Sequence, residues 1–81
     1  MRIEWDEPKR LANLDKHGMD FVDLEPSFFD SVSALESRLG RFVATGFFKG
    51  SAIVVVYPPL GTEAVSVISM RKASKRERTA P

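Results

Sequence analysis

The stretch Ala52-Ile53-Val54-Val55-Val56-Tyr57 is apolar throughout, largely β-branched, and shows no alternation with polar residues. A run of this kind reads as a central strand covered on both faces, so the rest of the chain must supply cover on two sides. It is the longest apolar run and far too short to cross a bilayer. Met1 to Asp6 lacks the apolar core of a signal peptide. Lys49-Gly50-Ser51 precedes the run as a tight hairpin turn, and Pro58-Pro59-Leu60-Gly61 forces a turn after it. Arg41 to Phe48 and Glu63 to Met70 flank these turns as further strands, which makes a meander.

The N-terminal part has a different periodicity. Arg2-Ile3-Glu4-Trp5 alternates as a short strand with Ile3 and Trp5 on one face. Asp6 reads as a helix N-cap with Glu7 and Pro8 in the first turn, and Lys16-His17-Gly18 as the stop. This predicts a helix over Glu7 to His17 with a narrow apolar stripe of Leu11, Ala12 and Leu14. Asp20 can cap a second helix whose buried face is Phe21, Leu24 and Phe28, widened by Phe29. Pro26 bends that helix or starts a new turn at Glu25. A weak strand follows around Val32 to Leu35. Ser74-x-x-Glu77 is a capping-box pattern, so a last helix should begin at Ser74, with barely two turns before Pro81.

The expected fold is therefore α+β in the order β-α-α-β-β-β-α. It is a single domain over residues 1–81, an antiparallel sheet with two N-terminal helices packed on one face and a short C-terminal helix. At 43% hydrophobic and 28% charged residues the chain supports one small core. It has no cysteine, which removes disulfides and thiolate metal sites and fits a reducing, cytoplasmic setting. No cofactor, metal or membrane partner is expected.

Charge is unevenly spread. Residues 1–30 hold four bases and eight acids, a net −4, and residues 31–81 hold eight bases and three acids, a net +5. The densest cluster is Arg71-Lys72-Ala73-Ser74-Lys75-Arg76-Glu77-Arg78. Arginine and lysine bind phosphates by charge-assisted bonds, and here a strand end would carry Arg71 and Lys72 while a first helical turn carries Lys75 and Arg76. A phosphate could also use that helix N-terminus. Charge alone leaves an RNA grip and a solvated terminus equally open. His17 is the sole histidine, a candidate general base or a simple helix-end cation. Tyr57 offers a phenol for proton transfer or base stacking, or packs in the core. Arg41 can reach a phosphate or guard a strand edge. Phe47-Phe48 beside the hairpin turn leaves room for one exposed aromatic and a partner contact.

Taken in order, Trp5-Asp6-Glu7-Pro8-Lys9, Asn13-Leu14-Asp15-Lys16-His17-Gly18, Phe29-Asp30, Arg41-Phe42, Val54-Val55-Val56-Tyr57 and Ile68-Ser69-Met70-Arg71-Lys72-Ala73-Ser74-Lys75-Arg76-Glu77 resemble the BrnT toxins of type II toxin–antitoxin systems. The resemblance covers nearly the whole chain. It departs from the family in the short segment between Asp30 and Arg41 and in the brevity of the last helix. It implies a RelE-like ribonuclease that restrains growth by cleaving RNA. It further implies a BrnA-type antitoxin, dimeric and ribbon-helix-helix-like, in a complex that binds operator DNA. Carried over by position, it assigns the site to Lys16, His17, Arg41, Arg71, Lys72, Lys75, Arg76 and Glu77. The chemistry so implied is metal-independent endonuclease cleavage, with Arg71, Arg76 and Arg41 stabilising phosphoryl charge and Glu77, His17 or Tyr57 as the base. A catalytically inactive module that binds antitoxin and co-represses the operon is the alternative.

Overall fold

The computed structural model describes residues 1–79. Strand β1 (Arg2–Trp5) leads into helix α1 (Glu7–His17). Two 3-10 turns follow, Phe21–Asp23 and Pro26–Ser31. Next come β2 (Ser33–Glu36), β3 (Phe42–Phe48) and β4 (Ser51–Tyr57). The chain continues through β5 (Pro59–Leu60), β6 (Ala64–Val67), β7 (Ser69–Lys72) and helix α2 (Lys75–Thr79). The last residues expected for the C-terminal helix lie outside the described residues.

The β4 run is central, as its composition requires. The four-stranded sheet has the order β2-β3-β4-β7 and is antiparallel throughout. Ile53, Val55 and Tyr57 point to one side and join Phe21, Leu24, Phe28, Ala44, Val65, Val67 and Met70 in the core. Val54 points the other way, in register between Thr45 and Arg71, and is also fully buried.

The expected single sheet is divided. The strand anticipated over Glu63 to Met70 breaks at Ile68. Its first part, β6, lies between β1 and β5 in a three-stranded sheet, parallel to β1, and its second part, β7, joins β4. The Ile68 N–H still bonds the Val56 carbonyl at 2.9 Å, so the backbone turns from one sheet to the other without losing that donor. The Pro58–Gly61 turn also carries β5 on the edge of the smaller sheet, where a proline without an N–H is tolerated.

The second helix is replaced by the two 3-10 turns. Glu25, just before Pro26, is extended at φ −108° and ψ 152°, as a pre-proline residue prefers. Phe21, Leu24 and Phe28 are nevertheless buried, so apolar spacing identified the right side chains for the wrong backbone. Phe28 packs against β3 at Gly46, where a Cβ would stand 3.0 Å from Phe28 Cε1 and 2.8 Å from Val32 Cγ1.

Helix α1 has the bounds that its caps predict, and Gly18 closes it in the left-handed conformation at φ 68°. Its apolar stripe does not anchor it, because Leu11 and Leu14 are exposed. Polar contacts hold it instead. Arg10 donates from Nη1 to both Asp20 carboxylate oxygens and from Nε and Nη2 to Glu7. Buried Asn13 gives Nδ2 protons to the Met19 and Met70 carbonyls and accepts from the Met70 N–H at 3.1 Å. The Asn13 amide thus acts as one rung of an additional strand on the outer edge of β7. The helix sits beside that edge, and the expectation of two helices on one sheet face is not met.

Candidate functional site

Most of the sequence-derived candidates meet the two ends of β7. Ser69 and Arg71 leave this strand on the side opposite buried Met70, about 7 Å apart by strand rise. Around Ser69, α1 contributes Lys9, Asn13, Lys16 and His17, and the segment entering β3 contributes Arg41. These residues, with Ala12 and Ile68, line a hollow of about 330 Å³. Lys9, Asn13 and Lys16 converge because spacings of three, four and seven residues share one helical face. No carboxylate lines the hollow among the described residues, so its field is positive. His17 is half-buried, with Lys16 and Arg41 exposed at the rim.

At the other end of β7 the chain turns into α2 through the capping box. The Glu77 N–H donates to Ser74 Oγ at 3.1 Å, and the Ser74 N–H donates to Glu77 Oε1 at 2.8 Å. The same carboxylate receives both terminal nitrogens of Arg71, Nη1 at 2.7 Å and Nη2 at 2.8 Å. These bonds from Arg71, and then from the Ser74 backbone, hold the Glu77 carboxyl down at about 2. Glu77 in turn raises the Arg71 guanidinium. A carboxylate so stabilised is a weak proton acceptor near neutrality, and its geometry is that of a brace for Arg71. The Ser74 N–H, anticipated as part of a phosphate site, is occupied by this internal carboxylate. Lys75 and Arg76 stand exposed on α2, and Lys72 is exposed at the end of β7.

Tyr57 is not drawn into either cluster. Its ring stacks on Phe42 at 5.9 Å and meets Phe29 edge-on at 5.1 Å. Burial pushes its phenol upward, whereas a base at neutral pH would need a lowered value. The core reading of Tyr57 is the one that the structure favours.

Lys9, Asn13 and Ser69 were not singled out as site residues from sequence. The helical spacing from Lys9 to Lys16 was a usable signal. Ser69 carried none, since its place depends on the break at Ile68. Among the described residues no three His, Cys, Asp or Glu side chains gather as a metal site, and no helix is long and apolar enough to cross a membrane.

A family model described as "Ribonuclease toxin, BrnT, of type II toxin-antitoxin system" matches residues 5–77, a span that contains every residue of both clusters. The crystal structure of the Brucella abortus ribonuclease toxin BrnT is 50% identical in sequence, with a TM-score of 0.86 over 93% of this chain and 99% of that one. No match was found among curated proteins.

Proposed function

The chain belongs to the BrnT family of ribonuclease toxins of type II toxin–antitoxin systems, and on that premise we propose that it is a metal-independent endoribonuclease whose reaction centre lies between the α1 hollow and Arg71. The observation that carries this reading is the convergence of His17, Arg41 and Ser69 on one hollow, with Arg71 two residues further along the same strand face. RNA supplies its own nucleophile. His17 takes the proton from a 2′-hydroxyl, the 2′-oxygen attacks the adjacent phosphorus, the bond from phosphorus to the 5′-oxygen of the next nucleotide breaks, and that oxygen leaves as a hydroxyl with a proton from water. The product is a 2′,3′-cyclic phosphate. Arg41 and Arg71 stabilise the charge that grows on the non-bridging oxygens. Glu77 orients Arg71 rather than acting as base. Lys9, Lys16, Lys72, Lys75 and Arg76 hold flanking phosphates.

The cellular setting that goes with this reading is cytoplasmic. Growth arrest follows RNA cleavage, and a BrnA-type antitoxin with a dimeric ribbon-helix-helix-like part neutralises the toxin and carries the complex to operator DNA. One observation favours the alternative of an inactive, antitoxin-binding module, namely that Arg71 is already paired with Glu77. Inducing the chain without antitoxin separates the two. Growth arrest with RNA loss, abolished by His17→Ala, supports the nuclease; undisturbed growth and intact RNA reject it.

A further inference from the structure

The side of the four-stranded sheet that faces away from the core is only partly covered. Between β2 and α2 it forms a groove of about 760 Å³ whose floor includes Leu35, Val43, Phe47 and Ala52. Phe47 is 78% exposed and Leu35 72% exposed, large values for apolar side chains aligned on one face. Lys72 and Arg78 line the α2 end of the groove, and neither forms an ion pair among the described residues. Glu77 lines it too, but its carboxylate is committed to Arg71. The groove is therefore apolar along its floor and positive at one end.

Shape narrows the occupant. From β2 across β3 and β4 to β7 is three interstrand spacings, about 14 Å. An α-helix with its side chains is about 10–12 Å across. An RNA strand would require cations along the groove and stacking faces at regular intervals. The floor supplies one aromatic ring, and both free cations sit at the same end.

We propose that this groove receives an amphipathic helix of the antitoxin. Its apolar stripe, at i, i+3 or i+4 and i+7, packs on Leu35, Val43, Phe47 and Ala52, and its acidic end meets Lys72 and Arg78. A helix seated there lies beside Arg71 and blocks the approach of RNA to it. Docking and inhibition are then one event. The inference rests on the reading that the chain is a toxin neutralised by a protein antitoxin.

The test uses the full chain with the antitoxin of its operon. Phe47→Asp and Leu35→Asp alter exposed side chains outside the proposed reaction centre, and circular dichroism confirms that each variant is folded. Each is expected to weaken antitoxin binding about tenfold or more, as loss of an interface anchor does, and to leave RNA cleavage without antitoxin unchanged. Wild-type affinity in both folded variants overturns the groove and leaves the ribonuclease reading intact. A loss of cleavage in the absence of antitoxin assigns the groove to RNA and also overturns the proposal. Antitoxin binding that depends on Phe47, with no RNA cleavage by the wild-type chain, supports the groove and rejects the nuclease.

Discussion

Arg71 and Glu77 meet through two parallel contacts, Nη1 to Oε1 at 2.7 Å and Nη2 to Oε2 at 2.8 Å, while Glu77 also accepts the Ser74 N–H. A five-residue helix is marginal by itself. Here one carboxylate closes its first turn and fastens it to β7. The most positive segment of the chain is thereby given a fixed shape.

The brace and the base are distinguishable by mutation. Arg71→Ala is expected to lower the cleavage rate about 10²–10³-fold, the usual cost of one preorganised electrostatic donor. Glu77→Gln should lower it less and leave the acid limb of the pH–rate profile in place. Displacement of that limb in single-turnover assays would make Glu77 the proton acceptor instead.

The same carboxylate predicts a pH response. Its value is about 2 in the folded chain, against an ordinary 4.5. A depressed carboxyl contributes stability that is complete above the unfolded value and is lost as pH falls through the folded one. The stability that the Arg71–Glu77 contact contributes should therefore be complete above pH 5 and fall away between about 4.5 and 2, while the contact in the folded chain itself opens only near pH 2. Side-chain carboxyl chemical shifts of Glu77, followed by titration, read this directly; a midpoint near 4.5 would show the pair to be absent in solution.

His17→Ala should reduce cleavage about 10²–10⁴-fold, the span typical of general base catalysis. Because His17 is only half-buried, the unfolding midpoint should move little. Cleavage by the wild-type chain should survive excess EDTA. Loss of activity on chelation, restored by a divalent ion, would refute the metal-independent reaction.

Asn13→Ala removes all three partners of a buried amide at once and strands the Met70 N–H and two carbonyls. Each unsatisfied buried group costs about 1–3 kcal/mol, so this should rank among the most destabilising single changes in the chain. Denaturant unfolding measures it. A loss below about 0.5 kcal/mol, the level of an ordinary surface substitution, would mean that water replaces the amide.

At the β3–β4 hairpin, Lys49 and Gly50 both have positive φ, 51° and 80°. Asparagine suits the first of these positions better than lysine does. Lys49→Asn should stabilise the chain by about 0.5–1 kcal/mol, roughly the lower end of the penalty for a side chain held in the left-handed region. Thermal unfolding tests the sign.

Local signals in the chain predicted local structure well. The bounds of α1, the Ser74–Glu77 capping box and the central place of β4 all follow from residues close together in sequence. The division of the sheet was not legible because it depends on distant partners. The break at Ile68 appears only when Val65 finds Ile3 in one sheet and Met70 finds Val55 in the other. Pro26 decides the fate of the second helix locally: of the two outcomes it allows, the new turn at Glu25 forms, while the turn before it is 3-10 where a helix is expected. In the site, charge and the family resemblance put forward Lys16, His17, Arg41 and Arg71 as candidates, and the structure brings the first three of them to one hollow. They did not foresee that Glu77 would spend its basicity on Arg71, because a capping residue and an ion-pair partner look alike until the strand end is placed beside the helix.

The parallel pairing of Arg2–Trp5 with Ala64–Val67, together with the Asn13–Met70 bonds, carries a timing consequence. The first strand cannot find its neighbour, nor α1 its edge, until the chain has been synthesised past Met70. Non-local pairings of this kind form slowly, after the connecting loop has been closed. His17 therefore leaves the ribosome long before the strand that brings Ser69 and Arg71 to it. On the reading proposed above, the nascent polypeptide is harmless until the chain has been made past Arg71.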